Sequence, residues 1–550
     1  MHPVITELLR KRGITEPADI EEYLSPRPKM TFDPYEMKGM NDAVEIISQY
    51  LSDGKRICIY GDYDVDGITS VSLLYGFLSE LTDNVTYYIP SRFSEGYGLN
   101  INAADSIIAD GTDLVITVDC GCVSNLEVAH LRKNGVEVIV TDHHNVDERI
   151  PDCVVIDAKQ DGETYPYRDL CGCGVAFKLA QALSRRREIP RSSYLRHLDI
   201  VGIATIADIV PLTGENRTLV KYSFDSIAKG KRPGLAKLIE EISLDRRNLS
   251  ATNISFGIAP HINATGRMKH ANIAVRLLTA DSSTDTDEID SLIEEIKSLN
   301  DERKSIQSKI FDDACAYIES MPDIPPFIIY DAGDAHEGVT GIVAGKLKEK
   351  YYRPVVVLTN AKNHELYKGT GRSIPGADLH AILSESIDLF TRFGGHAAAC
   401  GFTLPKKNKQ KLIESTDKIM KKLIRENPKI IENQLNYDME LPSEYINLKL
   451  AKELTLLEPC GKGNEYPVFL IKNVTLLSKK TIGKNGAYRS FRCVGEDGTA
   501  FKAVWFDVDR KIDYYLDEGS IVDLIAELSI NKWRGTESAQ CTVRQIILHK

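Results

Sequence analysis

Two α/β lobes joined by a long helix, with a small β-barrel at the C-terminal end, is the fold class that the patterning of this chain predicts. Three observations carry that expectation. Apolar, strand-like runs alternate with helical patterns across residues 41–280 and again across 322–430, as in mainly parallel sheets covered on both faces. Between these stretches Ile289, Leu292, Ile293, Ile296 and Leu299, then Ile306 and Ile310, keep helical spacing amid charged residues over 281–321. Beyond residue 455 the pattern turns all-β, with about five strands separated by Gly-containing turns.

In chain order, residues 1–40 read as a short helical preface. Ile5, Leu8 and Leu9 share one helical face there, and Pro26, Pro28 and Pro34 then break the pattern. In the first lobe, 41–280, a helix over 43–51 precedes a strand at 56–60 and a helix at 70–81. Strands at 85–89, 114–118 and 136–140 follow. The segment 281–321 is the connecting helix. In the second lobe, strands at 327–330 and 354–358 enclose a helix over 343–351, and 406–427 forms a Lys-rich amphipathic helix. A linker, 431–454, leads to barrel strands at 468–477, 487–494, 499–506, 521–529 and 540–548. Their number and spacing predict a barrel of the oligonucleotide/oligosaccharide-binding (OB) type over 455–550.

Composition narrows the class. The chain has 550 residues, 43% of them hydrophobic and 27% charged, as expected of a folded multidomain protein. Its net charge of −11 argues against a protein that coats polyanions, but not against a nucleic-acid enzyme whose metal ions offset a carboxylate cluster. No apolar run approaches the ~20 residues of a membrane span. The N-terminus lacks the basic start and apolar stretch of a signal peptide, so a cytoplasmic location without membrane contact is expected. The 11 cysteines include two Cys-x-Cys pairs, Cys120/Cys122 and Cys171/Cys173, in Gly-rich turns. Structural zinc sites favour Cys-x-x-Cys, so these read as reduced, packed side chains.

Acidic residues and histidines recur where strands end. Asp62, Asp64 and Asp66 follow the run 57–60, Asp119 follows 114–118, and Asp142-His143-His144 follows 136–140. Asp208 interrupts the apolar run 203–210, where a buried carboxylate needs compensation. In an open α/β sheet such positions share the crevice beyond the carboxyl ends of the strands. Oxygen and imidazole donors without thiolate suit a pair of Mn²⁺ or Mg²⁺ ions. A calcium loop is excluded at Asp62–Gly67, because Leu73 stands where the closing Glu would be. Gly67 permits a tight turn into the next helix, with Thr69 or Ser70 expected as its cap. Adjacent histidines on an extended strand point apart, so one is expected to face the metals and the other to reach around the turn or touch substrate.

Asp-x-Asp at one strand end, Asp at a second, Asp-His-His at a third and a later Asp resemble the DHH phosphoesterase superfamily. Four further segments extend the resemblance over nearly the whole chain: Arg92-Phe93-Ser94-Glu95-Gly96-Tyr97-Gly98, residues 260–268, Gly369-Thr370-Gly371-Arg372-Ser373 and Phe393-Gly394-Gly395-His396. They are similar to segments of the superfamily's bacterial single-strand-specific exonucleases. The resemblance implies that Asp64, Asp66, Asp119, His143 and Asp208 hold two divalent ions, with Asp119 as the bridge. It further implies that His144 is a second essential histidine and that Asp62 and Asp142 are auxiliary acids. Arg92, Arg267 and Arg372 match positions that bind the phosphate backbone or a terminal 5′ phosphate, and the planar Arg fork suits that anion. His396 matches a substrate contact near the metals, and Asn263, Thr370 and Ser373 lie in the same matching segments. Two residues depart from the usual pattern: His261 stands where Arg is common, and Thr370 where Ser is common.

The activity implied is 5′→3′ hydrolysis of single-stranded DNA to mononucleotides, in repair and recombination. The enzyme would be a monomer working beside a single-strand-binding protein and a helicase. A short-RNA or cyclic-dinucleotide phosphodiesterase of the same superfamily is one alternative, disfavoured by the extra barrel. A non-catalytic single-strand-binding scaffold is another, disfavoured by the complete acid set. Both tryptophans fall in the barrel. Trp505, in an apolar strand, is expected in the core. Trp533, between Lys532 and Arg534, is expected to stack on unpaired bases.

Overall fold

The structure is a computed structural model that describes all residues except 28, 29, 97, 147, 148, 363, 434, 435, 484, 485, 534 and 550, and excepting the side chain of Trp533. The first lobe is built on five parallel strands: β1 (Ile57–Gly61), β2 (Val85–Tyr88), β3 (Leu114–Val118), β4 (Glu137–Thr141) and β5 (Val154–Ile156). Their order is β2-β1-β3-β4-β5. β1 and β3 are buried at every residue, which is why they read as unbroken apolar runs. The order reverses between β1 and β3, and ligands in such sheets sit at that switch point. Asp62, Asp64 and Asp66 follow β1, and Asp119 follows β3.

The helix Thr286–Glu319, 34 residues long, leads from this lobe to the next. Asp285 caps it, accepting the N–H of Asp287, and Asp287 and Glu288 complement its dipole in the first turn. The second lobe holds β6 (Ile328–Asp331), β7 (Val355–Asn360), β8 (Leu366–Arg372), β9 (Arg392–His396) and β10 (Ala399–Pro405), in the order β6-β7-β8-β10-β9. Only β6 and β7 run parallel; β8 to β10 are antiparallel. The glycine-bearing segments at 369–373 and 393–396 are thus largely strand. Close packing explains Gly369, Gly371 and Gly395, where a Cβ would stand 2.3 Å from the Phe402 ring, 2.7 Å from Leu379 Cδ2 and 2.4 Å from the Ala399 carbonyl oxygen. It does not explain Gly394, where a Cβ would meet nothing within 4 Å.

The C-terminal domain comprises β11 (Met439–Glu440), β12 (Phe469–Ile482), β13 (Tyr488–Val494), β14 (Ala500–Trp505), β15 (Ile521–Trp533) and β16 (Thr536–Leu548). β12 pairs with β13 on one side and β15 on the other, closing the barrel. Trp505 is fully buried in its core. The N-terminal helix Pro3–Lys11 joins this core and not that of the first lobe. Val4, Ile5, Leu8 and Leu9 pack with Leu450, Leu454 and the barrel interior, each contributing about 1.5–3 kcal/mol of burial.

Candidate metal centre and phosphate cleft

Asp64 is the N-cap of the helix Val65–Leu78. Its Oδ1 accepts the N–H groups of Asp66 at 2.9 Å and Gly67 at 3.2 Å. The cap is therefore Asp64, not Thr69 or Ser70. The Thr69 hydroxyl instead donates to the Val65 carbonyl at 2.7 Å, and Ser70 is buried. Gly67 is required because a Cβ there would lie 2.4 Å from the Asp62 carbonyl oxygen.

Asp66 is buried and gripped from a distant element. Its carboxylate accepts the N–H groups of Gly172 at 2.6 Å and Cys173 at 2.8 Å, at the start of the helix Gly172–Arg186. Each such charge-assisted bond contributes about 1.5–3 kcal/mol. Asp119 has φ +59°, in the left-handed region that Asp and Asn tolerate better than most residues. Its side chain lies flat against Gly172, where a Cβ would stand 2.6 Å from Asp119 Oδ1. Gly172 thus supports two carboxylates at once. Sequence reasoning missed it, although its Gly-Cys-Gly setting did mark a tight turn. Substituting Gly172→Ala is expected to cost about 10–100-fold in activity if these carboxylates hold a metal ion, the usual effect of disturbing the support of such a ligand. Steady-state rates at saturating Mn²⁺ check this; an unchanged rate would show that Asp119 has room to move.

His143 sits at the focus. Its Nε2 lies 3.1 Å from Asp119 Oδ1, 3.6 Å from Asp66 Oδ2 and 3.7 Å from Asp208 Oδ2. Asp208 arrives from a different kind of element than the strand-like run implied. It is the C-cap of the helix Leu198–Ala207, followed by Ile209 at φ +58°. Most of that helix is buried, so its apolar residues show no amphipathic period. His144, half-buried, does not point away from His143: the two ring centroids are 4.4 Å apart. It pairs through Nδ1 with Asp142 Oδ1 at 2.7 Å and offers a ring nitrogen to the same group as Asp119 and His143. Asp142 also accepts the N–H groups of Cys122, His143 and His144, which makes it the support of the turn. Asp62 is buried, with Oδ1 unpartnered.

The electrostatics are those of a cation site. Burial, reinforced by Asp64, raises Asp66 to about 6. Burial and Asp66 raise Asp208 to about 7. Asp119 and Asp62 are pushed well above the carboxylate range, again first by burial and then by neighbouring carboxylates. Burial lowers His143 to about 4, so its imidazole is neutral. Burial opposes protonation of His144, yet its bond to Asp142 lifts it to about 9. Both ring nitrogens of His143, and Oδ1 of Asp119, are buried without hydrogen-bond partners. Buried carboxylates crowded around an unpartnered neutral imidazole need compensating positive charge. Hard or borderline divalent ions such as Mn²⁺ and Mg²⁺ fit the donor set.

Beside this centre a cleft of about 590 Å³ opens between the lobes, lined by Arg92, Arg267, Thr370, Arg372 and Arg392. The Arg92 guanidinium lies 4.4 Å above the Tyr63 ring, between Asp62 and Asp64 in sequence. Arg267 belongs to the helix Ala259–Met268, not to a loop, and donates across the lobes to the Gly338 carbonyl at 3.1 Å. A Cβ at Gly266 would stand 2.2 Å from the Tyr63 carbonyl oxygen, so this helix packs directly on the acidic turn. Burial, then Arg92, lower Arg267 to about 10, which leaves it cationic at neutral pH.

The remaining candidates are dispersed. Thr370 accepts from the Thr340 hydroxyl at 3.4 Å at the cleft wall. Ser373 is buried and donates to the Ala377 carbonyl at 2.5 Å. His396 is exposed at the end of β9. Asn263 lines a separate pocket with Ile209 and Phe256. His261 is buried in its helix, with Nδ1 2.6 Å from the Gly257 carbonyl. The side chain of Trp533 lies outside the described residues.

Comparison with known proteins agrees with this geometry. Residues 56–205 match the DHH family N-terminal domain, 325–422 the DHHA1 domain and 437–545 the RecJ OB domain. The single-stranded-DNA-specific exonuclease RecJ of Bacillus subtilis is 35% identical over 98% of this chain and 67% of its own length. The Salmonella typhimurium protein of the same name is 31% identical over 99% of this chain and 96% of its own. The crystal structure of RecJ in complex with Mn²⁺ from Thermus thermophilus superposes with a TM-score of 0.84 at 28% identity, covering 99% of this chain and 76% of that one. With matches running from the acidic turn to the last barrel strand, the chain belongs to the RecJ family.

Proposed function

We propose that this protein is a metal-dependent exonuclease that degrades single-stranded DNA from a 5′ end to mononucleotides. The observation that carries the reading is the juxtaposition of the His143 carboxylate cage with an arginine-lined cleft. Asp64, Asp66, Asp119, His143 and Asp208 would hold two divalent cations. Such ions supply an activated water and neutralise charge on the phosphate. The chain's own groups do the rest. Arg92, Arg267 and Arg372 grip the terminal phosphate and orient the scissile bond, which sets the polarity. Asp142 engages Nδ1 of protonated His144, so the proton offered to a substrate oxygen is on Nε2.

From the metal centre the strand path runs along two cavities of about 400 and 1030 Å³, which share Ala251, Thr252, Cys460 and Gly461. Exposed Ile209 and Phe256 provide apolar walls for bases, and Arg544 and Lys532 of the barrel stand at the far end. A groove of this kind takes a single strand, so a helicase and a single-strand-binding protein are the partners we expect, acting with a cytoplasmic monomer. Among the described residues no helix is long and apolar enough to cross a membrane.

The test is product analysis on 5′- and 3′-labelled single strands with Mn²⁺ or Mg²⁺, in competition with RNA dinucleotides and cyclic dinucleotides. Immediate release of labelled mononucleotide from the 5′-labelled strand is expected. Preferential cleavage of the dinucleotides would overturn the assignment, and an untouched 5′-phosphorylated strand would favour a binding scaffold.

A further inference from the structure

The segment 456–463, which leads into the barrel, has two contacts of consequence. Its Glu458, Cys460 and Gly461 line the strand groove. The same segment clasps the loop 209–213 that follows Asp208. Leu212 donates its N–H to the Lys462 carbonyl at 2.8 Å. The Leu212 side chain is buried, and a Cβ at Gly461 would stand 2.8 Å from its Cδ1.

Arg217, in the first turns of the helix Gly214–Lys229, completes the clasp. Its Nε donates to the Tyr23 carbonyl at 3.0 Å. Nη1 donates to Leu457 at 3.0 Å and Pro459 at 3.3 Å, and Nη2 to Leu456 at 3.3 Å and Glu458 at 2.9 Å. A guanidinium has five N–H donors, and here each meets its own backbone carbonyl. The Tyr23 ring covers its face at 3.9 Å. Lysine, a point charge with three donors, cannot reproduce this arrangement.

The loop being clasped is under load. Ile209 is β-branched and left-handed, a state that costs about 1–2 kcal/mol. Such a conformation persists only where its surroundings over-determine it. On the first-lobe side, Tyr167 and Asn216 both donate to the Pro211 carbonyl, at 3.2 and 3.0 Å. On the barrel side the restraint is the 456–463 segment that Arg217 holds.

We infer that Arg217 is a positioning residue for the metal centre: by pinning 456–463 against the 209–213 loop it fixes the place of Asp208. The barrel then contributes to metal affinity as well as to strand grip. This rests on the reading of Asp208 as a metal ligand.

The experiment is Mn²⁺ binding by titration calorimetry to the full chain and to Arg217→Lys, Gly461→Val and Asp208→Asn. The first two are also combined with Asp208→Asn, and folding is checked by circular dichroism. Arg217→Lys and Gly461→Val should each weaken Mn²⁺ binding by about tenfold and add no loss to Asp208→Asn. Wild-type affinity in both single variants overturns the proposal. So does an equal further loss on top of Asp208→Asn, because the clasp would then act elsewhere. Wild-type affinity in Asp208→Asn removes the ligand assignment itself, and the proposal with it. If Arg217→Lys does not fold, Arg217→Gln, which keeps two side-chain N–H donors, takes its place, and Gly461→Val then tests only the contact of 456–463 with the 209–213 loop.

Discussion

Replacing Asp119 with asparagine is expected to abolish strand hydrolysis and to leave the protein folded. Asparagine is the informative substitution because residue 119 has φ +59°, a conformation that Asn accepts with little strain and Ala does not. The change keeps the shape packed against Gly172 and removes only the charge. That charge lies 3.1 Å from His143 Nε2, at the centre of the donor set. Asparagine offers a weak neutral oxygen in place of the carboxylate that would help hold a divalent ion, so metal occupancy and water activation would fall together. Stability should move the other way. Burial and the carboxylates of Asp66, Asp64, Asp62 and Asp208 all disfavour ionised Asp119, so the metal-free variant should melt no lower than the metal-free wild type. Single-turnover rates at saturating Mn²⁺ and melts in chelator check both halves. A variant retaining a substantial fraction of the rate would remove Asp119 from the centre, and a large drop in melting temperature would make it a structural residue.

The residues of this centre differ in how far sequence alone discloses them, and the reason is geometric. Asp64, Asp66, Asp119 and His143 end parallel strands or open the following turn, and parallel strand ends necessarily share one edge of the sheet. The buried strands before them read as unbroken apolar runs, so the positions stand out. Asp208 shows itself by its polarity inside an apolar stretch, yet that stretch is a buried helix, whose pattern without amphipathic period is indistinguishable from a buried strand. The antiparallel strands β8 to β10 are obscured by glycine, which has low strand propensity and at Gly369, Gly371 and Gly395 answers side-chain or backbone atoms that crowd the sheet. Gly172 acts through its backbone N–H and through having no side chain, neither of which leaves a side-chain signature. The N-terminal helix shows its apolar face in the sequence, but nothing local to it says that the face belongs with the barrel at the other end of the chain. Arg217 reads as an ordinary surface cation until its five carbonyl partners are brought around it.

Metal ions should stabilise this protein strongly, and by an amount that grows between pH 6 and pH 8. A ligand that binds only the native state at a hundred times its dissociation constant adds about 2.7 kcal/mol. Here the ion also relieves the repulsion among the carboxylates around His143. The pH dependence follows from the titrating groups. Asp66 at about 6 and Asp208 at about 7 lie above their unfolded values. Their contribution to the stability of the metal-free protein is therefore fully present only near pH 4 and is lost as pH rises through 6 and 7. His144, held near 9 against an unfolded value of about 6.5, acts in the same direction across the upper part of this window. His143 acts in the opposite direction, because its folded value of about 4 is depressed; that effect is confined to pH below about 6.5. Binding a cation requires Asp66 and Asp208 deprotonated and His143 neutral. His143 already meets that condition at pH 6, whereas the two carboxylates reach it only as pH approaches 8. Metal uptake at pH 6.5 should accordingly release protons, detectable as a binding heat that varies with the ionisation enthalpy of the buffer. The gap between melting temperatures with and without Mn²⁺ should widen from pH 6 to pH 8 in the wild type. In Asp208→Asn, where the group that titrates near 7 is gone, the widening should shrink. A gap that stays constant with pH in the wild type would mean that these carboxylates are already ionised in the metal-free fold, and that burial does not hold their protons as the geometry requires.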